Sequence, residues 1–99
     1  MLVGDAIKTI RKRKNLNQKE LSALCNISQT YLSQIENNRK VPNFDTIERI
    51  GNCLGIPIPV VMFLSLTEND VRDDKRPLFE MMNPTIQKFI NDIFINTRA

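Results

Sequence analysis

The segment from Asn17 to Arg39, NQKELSALCNISQTYLSQIENNR, constrains the chain more than any other. Leu21, Leu24 and Cys25 make the inner face of one short helix, and Leu32 and Ile35 that of a second. Asn17 is a good N-cap for the first, and Glu20 three residues on completes a capping-box pattern. Asn26 breaks the helix where a tight turn needs the left-handed conformation that Asn tolerates. Ile27 plugs the turn, Ser28 caps the second helix, and Asn37-Asn38 end it. The second helix is polar outside, with Gln29, Thr30, Tyr31, Ser33, Gln34 and Asn37.

Other helices flank this pair. Ala6, Ile7 and Ile10 give an apolar face to a helix over about 4–14, and the basic run Arg11 to Lys14 suits its C-terminal end. After the extended Val41-Pro42 connector, Asn43 caps a fourth helix with Phe44, Ile47, Ile50 and Leu54 inward, closed by Gly55. The stretch IPIPVVMFLSL, 56–66, predicts a fifth helix starting near Pro57–Pro59 and apolar nearly all round. Residues 1–66 thus form one helical domain, with the two-helix motif at 17–38. Residues 67–83 begin with the charged, aperiodic TENDVRDDKRP and read as a linker. Residues 84–99 read as a final helix, in which Ile86, Phe89, Ile90, Ile93 and Phe94 form an amphipathic stripe. The fold class is therefore all-α, five helices and an added C-terminal amphipathic one.

Charge suggests the partner. Residues 1–40 hold eight Lys/Arg against three acids, net +5, and residues 41–99 hold six against eight, net −2. A basic front half suits a polyanion, although an ordinary solvated surface would also carry such charge. Two cysteines, Cys25 and Cys53, without any histidine cannot close a four-ligand zinc site in one chain, so no metal is expected. They read as small apolar residues of a reducing compartment. With no signal peptide and no apolar run of membrane-spanning length, the chain reads as cytoplasmic, with no membrane partner.

LNQKEL…NISQTYLSQIENNRKVPNFDTIERIGNCLGI resembles the phage-repressor and Cro-like (XRE) helix-turn-helix family, over roughly residues 4–64. The resemblance rests on Gln18 with Leu21, the Ile27-Ser28 turn exit, Leu32…Ile35-Glu36-Asn37, the Pro42 connector and Leu54-Gly55-Ile56. Asn26 and Asn38 depart from it, standing where the family often has glycine, and Asn is the next-best residue for positive φ. The resemblance implies a five-helix, lambda-repressor-like DNA-binding domain with its third helix, 28–38, in the major groove of double-stranded DNA. Gln29, Thr30 and Gln34, with Ser33 adjacent, then read base edges; Gln suits adenine and the Thr methyl suits thymine. Asn17, Gln18, Asn37 and Arg39 hold the phosphate backbone, with Lys40 as a further electrostatic contact. Asn43 and Phe44 offer main-chain N–H groups to a second phosphate, and Tyr31 either meets a sugar-phosphate or stays on the protein surface. Arg11 and Glu36 correspond to a partly buried ion pair tying the first helix to the third.

The fifth helix cannot bury all its apolar side chains in so small a core. Either the C-terminal helix covers it or a second chain does, and the family often dimerises through this region. Val60, Phe63, Leu64, Phe89, Ile90, Ile93 and Phe94 are the candidate homodimer interface. A twofold dimer sets its recognition helices roughly 34 Å apart on a palindromic operator. The function implied is a small transcriptional regulator: a phage or plasmid repressor, an autoregulating antitoxin, or a restriction–modification controller, with the compact size leaning to the last. The alternative is an antitoxin-like module that binds a protein partner through the apolar C-terminal region. Enzyme chemistry is not expected, because there is no histidine, no glycine-rich phosphate loop and no nucleophile beside a base. No cofactor or small-molecule ligand is evident.

Overall fold

The structure is a computed structural model and describes residues 1–96. The last part of the predicted 84–99 helix, residues 97–99, lies outside the described residues. The chain is all-helical. The helices are α1 (Val3–Arg13), α2 (Gln18–Cys25), α3 (Gln29–Glu36), α4 (Phe44–Leu54), α5 (Ile58–Leu64) and α6 (Arg76–Ile90). Two 3₁₀ turns, Glu68–Asp70 and Asp73–Lys75, precede α6, and a π turn, Asn91–Ile95, ends it.

Side-chain caps set several of the starts. The Asn17 side chain accepts from the Glu20 N–H at 2.7 Å, and the Glu20 carboxylate accepts from the Asn17 N–H at 2.9 Å. Ser28 accepts from the Tyr31 N–H and Asn43 from the Thr46 N–H. Left-handed residues set the stops. Asn26 (φ 56°) ends α2 and Gly55 (φ 71°) ends α4, while Asn15 and Asn38 turn the chain just after α1 and α3. Asn is tolerated there because its short polar side chain offsets part of the steric cost.

One core unites the helices. Ile7 and Ile10 of α1 meet Leu21 and Cys25 of α2, Leu32 and Ile35 of α3, Ile47, Ile50 and Leu54 of α4, then Ile56 and Val61. Each such side chain contributes about 1.5–3 kcal/mol on burial. At Gly4, α1 lies so close to the end of α3 that a Cβ would overlap the Ile35 carbonyl oxygen. The Asn38 amide fastens the same contact, donating to Asp5 Oδ1 at 2.7 Å.

Two residues expected inside lie outside. Leu24 and Phe44 are each 60% exposed. Ser22 is buried beside Leu21 and Cys25, so the inner seam of α2 runs along the side that Leu24 does not share. Phe44 opens α4 one turn before Ile47, beyond the reach of the core. In α5 only Val61 is fully buried, and Ile58, Val60, Met62, Phe63 and Leu64 are partly covered.

The segment 67–83 is not a plain linker. Thr67 and Asp70 form their own small capping box, and α6 begins at Arg76 with Pro77 in its first turn. Pro77 has the backbone angle a helix start requires and needs no N–H there. Pro84, expected at the start of the last helix, lies inside α6. The helix docks through Ile86, Ile90, Phe94 and Ile95. In a regular helix Ile90 and Ile95 would stand about 140° apart. The wider π turn, closed by the Asn96 N–H donating to the Asn91 carbonyl at 2.7 Å, lets both face inward.

Candidate nucleic-acid interface

The support of α3 is built first. Arg11 Nε donates to Glu36 Oε2 at 2.7 Å and Nη2 to Oε1 at 2.8 Å, a two-pronged contact between α1 and the last turn of α3. Arg11 is 7% exposed and Glu36 2%. The third prong, Nη1, donates to the Leu16 carbonyl at 2.8 Å. Gln18 Nε2 donates to Glu36 Oε1 at 3.1 Å, bringing α2 into the same network. Planar guanidinium and carboxylate groups suit this fork geometry, and the extra hydrogen bonds satisfy what burial would otherwise leave unmade. No buried side-chain nitrogen or oxygen lacks a partner among the described residues.

This support leaves the other side of α3 free. Gln18, Gln29, Thr30, Ser33, Gln34 and Arg39 line one shallow, open depression. Gln29 and Thr30 are exposed at the N-terminal tip of α3, and Ser33 and Gln34 are half-buried one turn later. Among the described residues the side chains of Gln29, Thr30 and Gln34 take no hydrogen-bond partner, so their donors and acceptors are available to an incoming ligand. Ser33 Oγ accepts only a long 3.4 Å bond from Asn37. The four residues predicted to read bases are therefore gathered on one surface, beside Arg39.

The predicted phosphate contacts are less uniform. Arg39 and Lys40 are exposed just after α3. The side-chain oxygens of Asn17 and Asn43 are already used as caps, so each marks a helix N-terminus and keeps only its amide N–H groups for a further contact. Phe44 stands exposed at the first position of α4. Gln18 has its amide turned to Glu36, a positioning contact that spacing alone does not disclose. Tyr31 is half-buried and packs against the core edge.

The candidate dimer residues divide. Ile90 is 7% exposed and packs within its own chain, and Phe94, Val60, Phe63 and Leu64 are partly covered there too. Phe89 and Ile93 point outward, 62% and 55% exposed. Leu78, Met81 and Met82, passed over when the segment reads as a linker, are exposed as well.

Cys25 and Cys53 are free thiols where α2 meets α4. Burial, then the hydrogen bond with Cys53, push the Cys25 thiol up to about 12. Cys53 Sγ also donates to the Leu24 carbonyl at 3.4 Å. Among the described residues no group of three His, Cys, Asp or Glu side chains could hold a metal ion, and no single helix is long and apolar enough to cross a membrane.

Residues 7–61 match the helix-turn-helix family. The chain is 39% identical over 62 residues to the immunity repressor protein of Bacillus phage phi105, a match covering 63% of this chain and 43% of the repressor. It thus spans less than half of that relative. It is 38% identical over 72 residues to the ImmF control region 10 kDa protein of the same phage, covering 73% of this chain and 77% of that one. In structure it is similar to the clp gene regulator ClgR from Corynebacterium glutamicum, with a TM-score of 0.63 at 19% identity over 91% of this chain and 87% of that one. At that identity the likeness concerns the fold.

Proposed function

The chain belongs to the XRE-type helix-turn-helix family, and on that premise we propose that it is a sequence-specific, double-stranded DNA-binding transcriptional regulator. It acts in the cytoplasm as a homodimer on a palindromic operator, with α3 in the major groove. One observation carries this reading: Gln29, Thr30, Ser33 and Gln34 converge on an open polar face while Leu32 and Ile35 anchor α3 in the core and the Arg11–Glu36 pair clamps its end. A rigidly held helix with unpartnered amides at its tip suits base-edge recognition, since hydrogen-bond donors and acceptors must be presented at fixed positions. Arg39 and Lys40 at one end, and the capped N-termini of α2 and α4, supply phosphate contacts that fix register without carrying sequence information.

A repressor role accords with the phage immunity repressor among the relatives. A role confined to protein partners would leave the polar face of α3 and the +5 charge of residues 1–40 without a purpose.

Selection from a random duplex pool at near-physiological salt tests the reading. The expected result is an enriched palindrome with half-sites about one helical turn, roughly 34 Å, apart. Weak binding that vanishes with salt and selects no sequence would refute it, because non-specific phosphate contact alone behaves that way.

A further inference from the structure

The outer face of α6 is apolar and unused by its own chain. Leu78, Met82 and Phe89 stand in a row along it and Ile93 of the following π turn continues it, between 44% and 62% exposed, with Met81 alongside at 68%. The body takes Ile86, Ile90, Phe94 and Ile95 along the flank next to this row. The apolar stripe is therefore broader than the body can cover, and its outer edge is left bare. The exposed set amounts to on the order of 500 Å² per chain, at the upper end of what a monomer leaves bare.

The spacing of the row is the informative detail. The intervals between 78, 82, 89 and 93 are four, seven and four, the same read from either end. We infer that this face pairs with the same face of a second copy, the two α6 helices antiparallel about a twofold axis passing beside Thr85 and Ile86. Leu78 then lies opposite Ile93 of the other copy, and Met82 opposite Phe89, each pair made twice. Such self-complementarity is what an isologous interface demands: residue i meets j and j meets i. A helix of another protein would need no such symmetry in this row.

The chemistry of the face agrees. Methionine opposite an aromatic ring packs adaptably and gains a sulfur–ring contact. In this register Lys88 falls opposite Asn83 and Glu80 opposite Asn91, so no like charges are forced together. Lys88 is already neutralised by Asp92 at 2.7 Å on its own helix. Two such faces bury roughly 1,000 Å² of apolar surface together, the threshold of a specific interface.

The inference deepens the homodimer reading and rests on it. It differs from the sequence expectation by moving the contact off α5 and off Ile90 and Phe94, and onto Leu78, Met81 and Met82.

The test is charge exchange across the axis, read by sedimentation of the full chain with circular dichroism as the check on folding. Wild type is expected to be a dimer. Met82→Glu alone and Phe89→Lys alone each place a charge against an apolar partner, and each is expected to raise the dimer dissociation constant at least tenfold while the chain stays helical. The double variant in one chain restores the dimer, because each new acid then faces a new base on the other copy. A parallel pairing would instead oppose like charges and leave the double variant worst of all. A monomeric wild type, singles that still dimerise, or a double variant no better than the singles would each overturn the inference.

A second measurement does not depend on those variants folding. A chain carrying Thr85→Cys and Cys53→Ser is expected to oxidise to a covalent dimer, and one carrying Lys75→Cys and Cys53→Ser is not. No cross-link at position 85 would overturn the inference. DNA selection keeps this question apart from the functional one. A dimer with the behaviour above but no enriched site upholds the α6 interface and removes the DNA reading. A monomer that enriches a single half-site does the reverse.

Discussion

Arg11 and Glu36 do for this domain what a longer hydrophobic contact would do in a larger one. They hold α3 against α1 near the C-terminal ends of both helices. Removing one partner leaves the other buried and uncompensated, at a cost of about 3–5 kcal/mol. Glu36→Ala is therefore expected to lower the melting temperature by upwards of ~10 °C, given the several degrees per kcal/mol of a domain this size. Gln34→Ala, half-exposed and without a partner, is expected to stay within about 0.5 kcal/mol of wild type. Equal thermal melts for the two variants would contradict the division between supporting and reading residues. The pairing of Arg11 with Glu36 is legible in the sequence through family resemblance, because both residues sit at matching positions of a familiar pattern. The Gln18 bond to Glu36 and the Arg11 bond to the Leu16 carbonyl are not legible. Both depend on how α2 enters the fold, which no local pattern encodes. The left-handed Asn26 can be read from its place between two helical patterns, and the left-handed Asn15 cannot, since an ordinary polar loop could hold it.

Among elements, α2 to α4 are readable because caps and periodicity agree at their starts, α1 through its apolar face and α5 through its prolines. The exceptions are instructive. Leu24 satisfies the helical period and still faces outward, because a buried serine takes its place in the seam. The start of α6 is hidden by charge: DVRDDKRP reads as solvated chain, yet two 3₁₀ turns and Pro77 convert it into a helix start. With the start misplaced, three of the five outward apolar residues fall outside the expected helix, and the symmetric row cannot be seen. The contact of α2 with α4 through Cys25 and Cys53 carries a pH dependence. An unfolded thiol titrates near its ordinary 9.0, whereas Cys25 is held neutral to about 12. Above pH 9 the native state thus keeps a proton that the unfolded state releases, so stability falls as pH rises through that window. Chemical denaturation at pH 8 and pH 10.5 should show the margin of wild type over Cys25→Ala shrinking at the higher pH. A constant margin would mean that the thiol titrates alike in both states.

Across the whole molecule the two halves divide the labour. The net positive charge lies with residues 1–40 and the mild negative charge with 41–99. In the proposed reading the basic half meets the polyanion, and the remainder packs against that half and joins the copies of the dimer. Salt then weakens binding in proportion to the phosphates contacted. Arg39→Ala is expected to weaken every duplex by a similar factor and to reduce the logarithmic salt slope by about 2 for a dimer, near 0.9 per lost phosphate contact in each chain. Filter binding across a salt series on two unrelated operators checks this. Loss of discrimination between the operators, with the slope unchanged, would reassign Arg39 to base reading.

The bare face of α6 also bears on how such a regulator would respond to its own abundance. An interface built from one short helix per copy is modest, so scarce chains remain single and each grips only half a site. While they are scarce, doubling the number of chains roughly quadruples the number of pairs. Occupancy of a promoter then climbs steeply over a narrow range of expression, and a cell that inherits slightly too few copies loses the repressed state abruptly instead of by degrees. In such a system the length and greasiness of α6, as much as the letters read by α3, would set the dose at which a gene is switched.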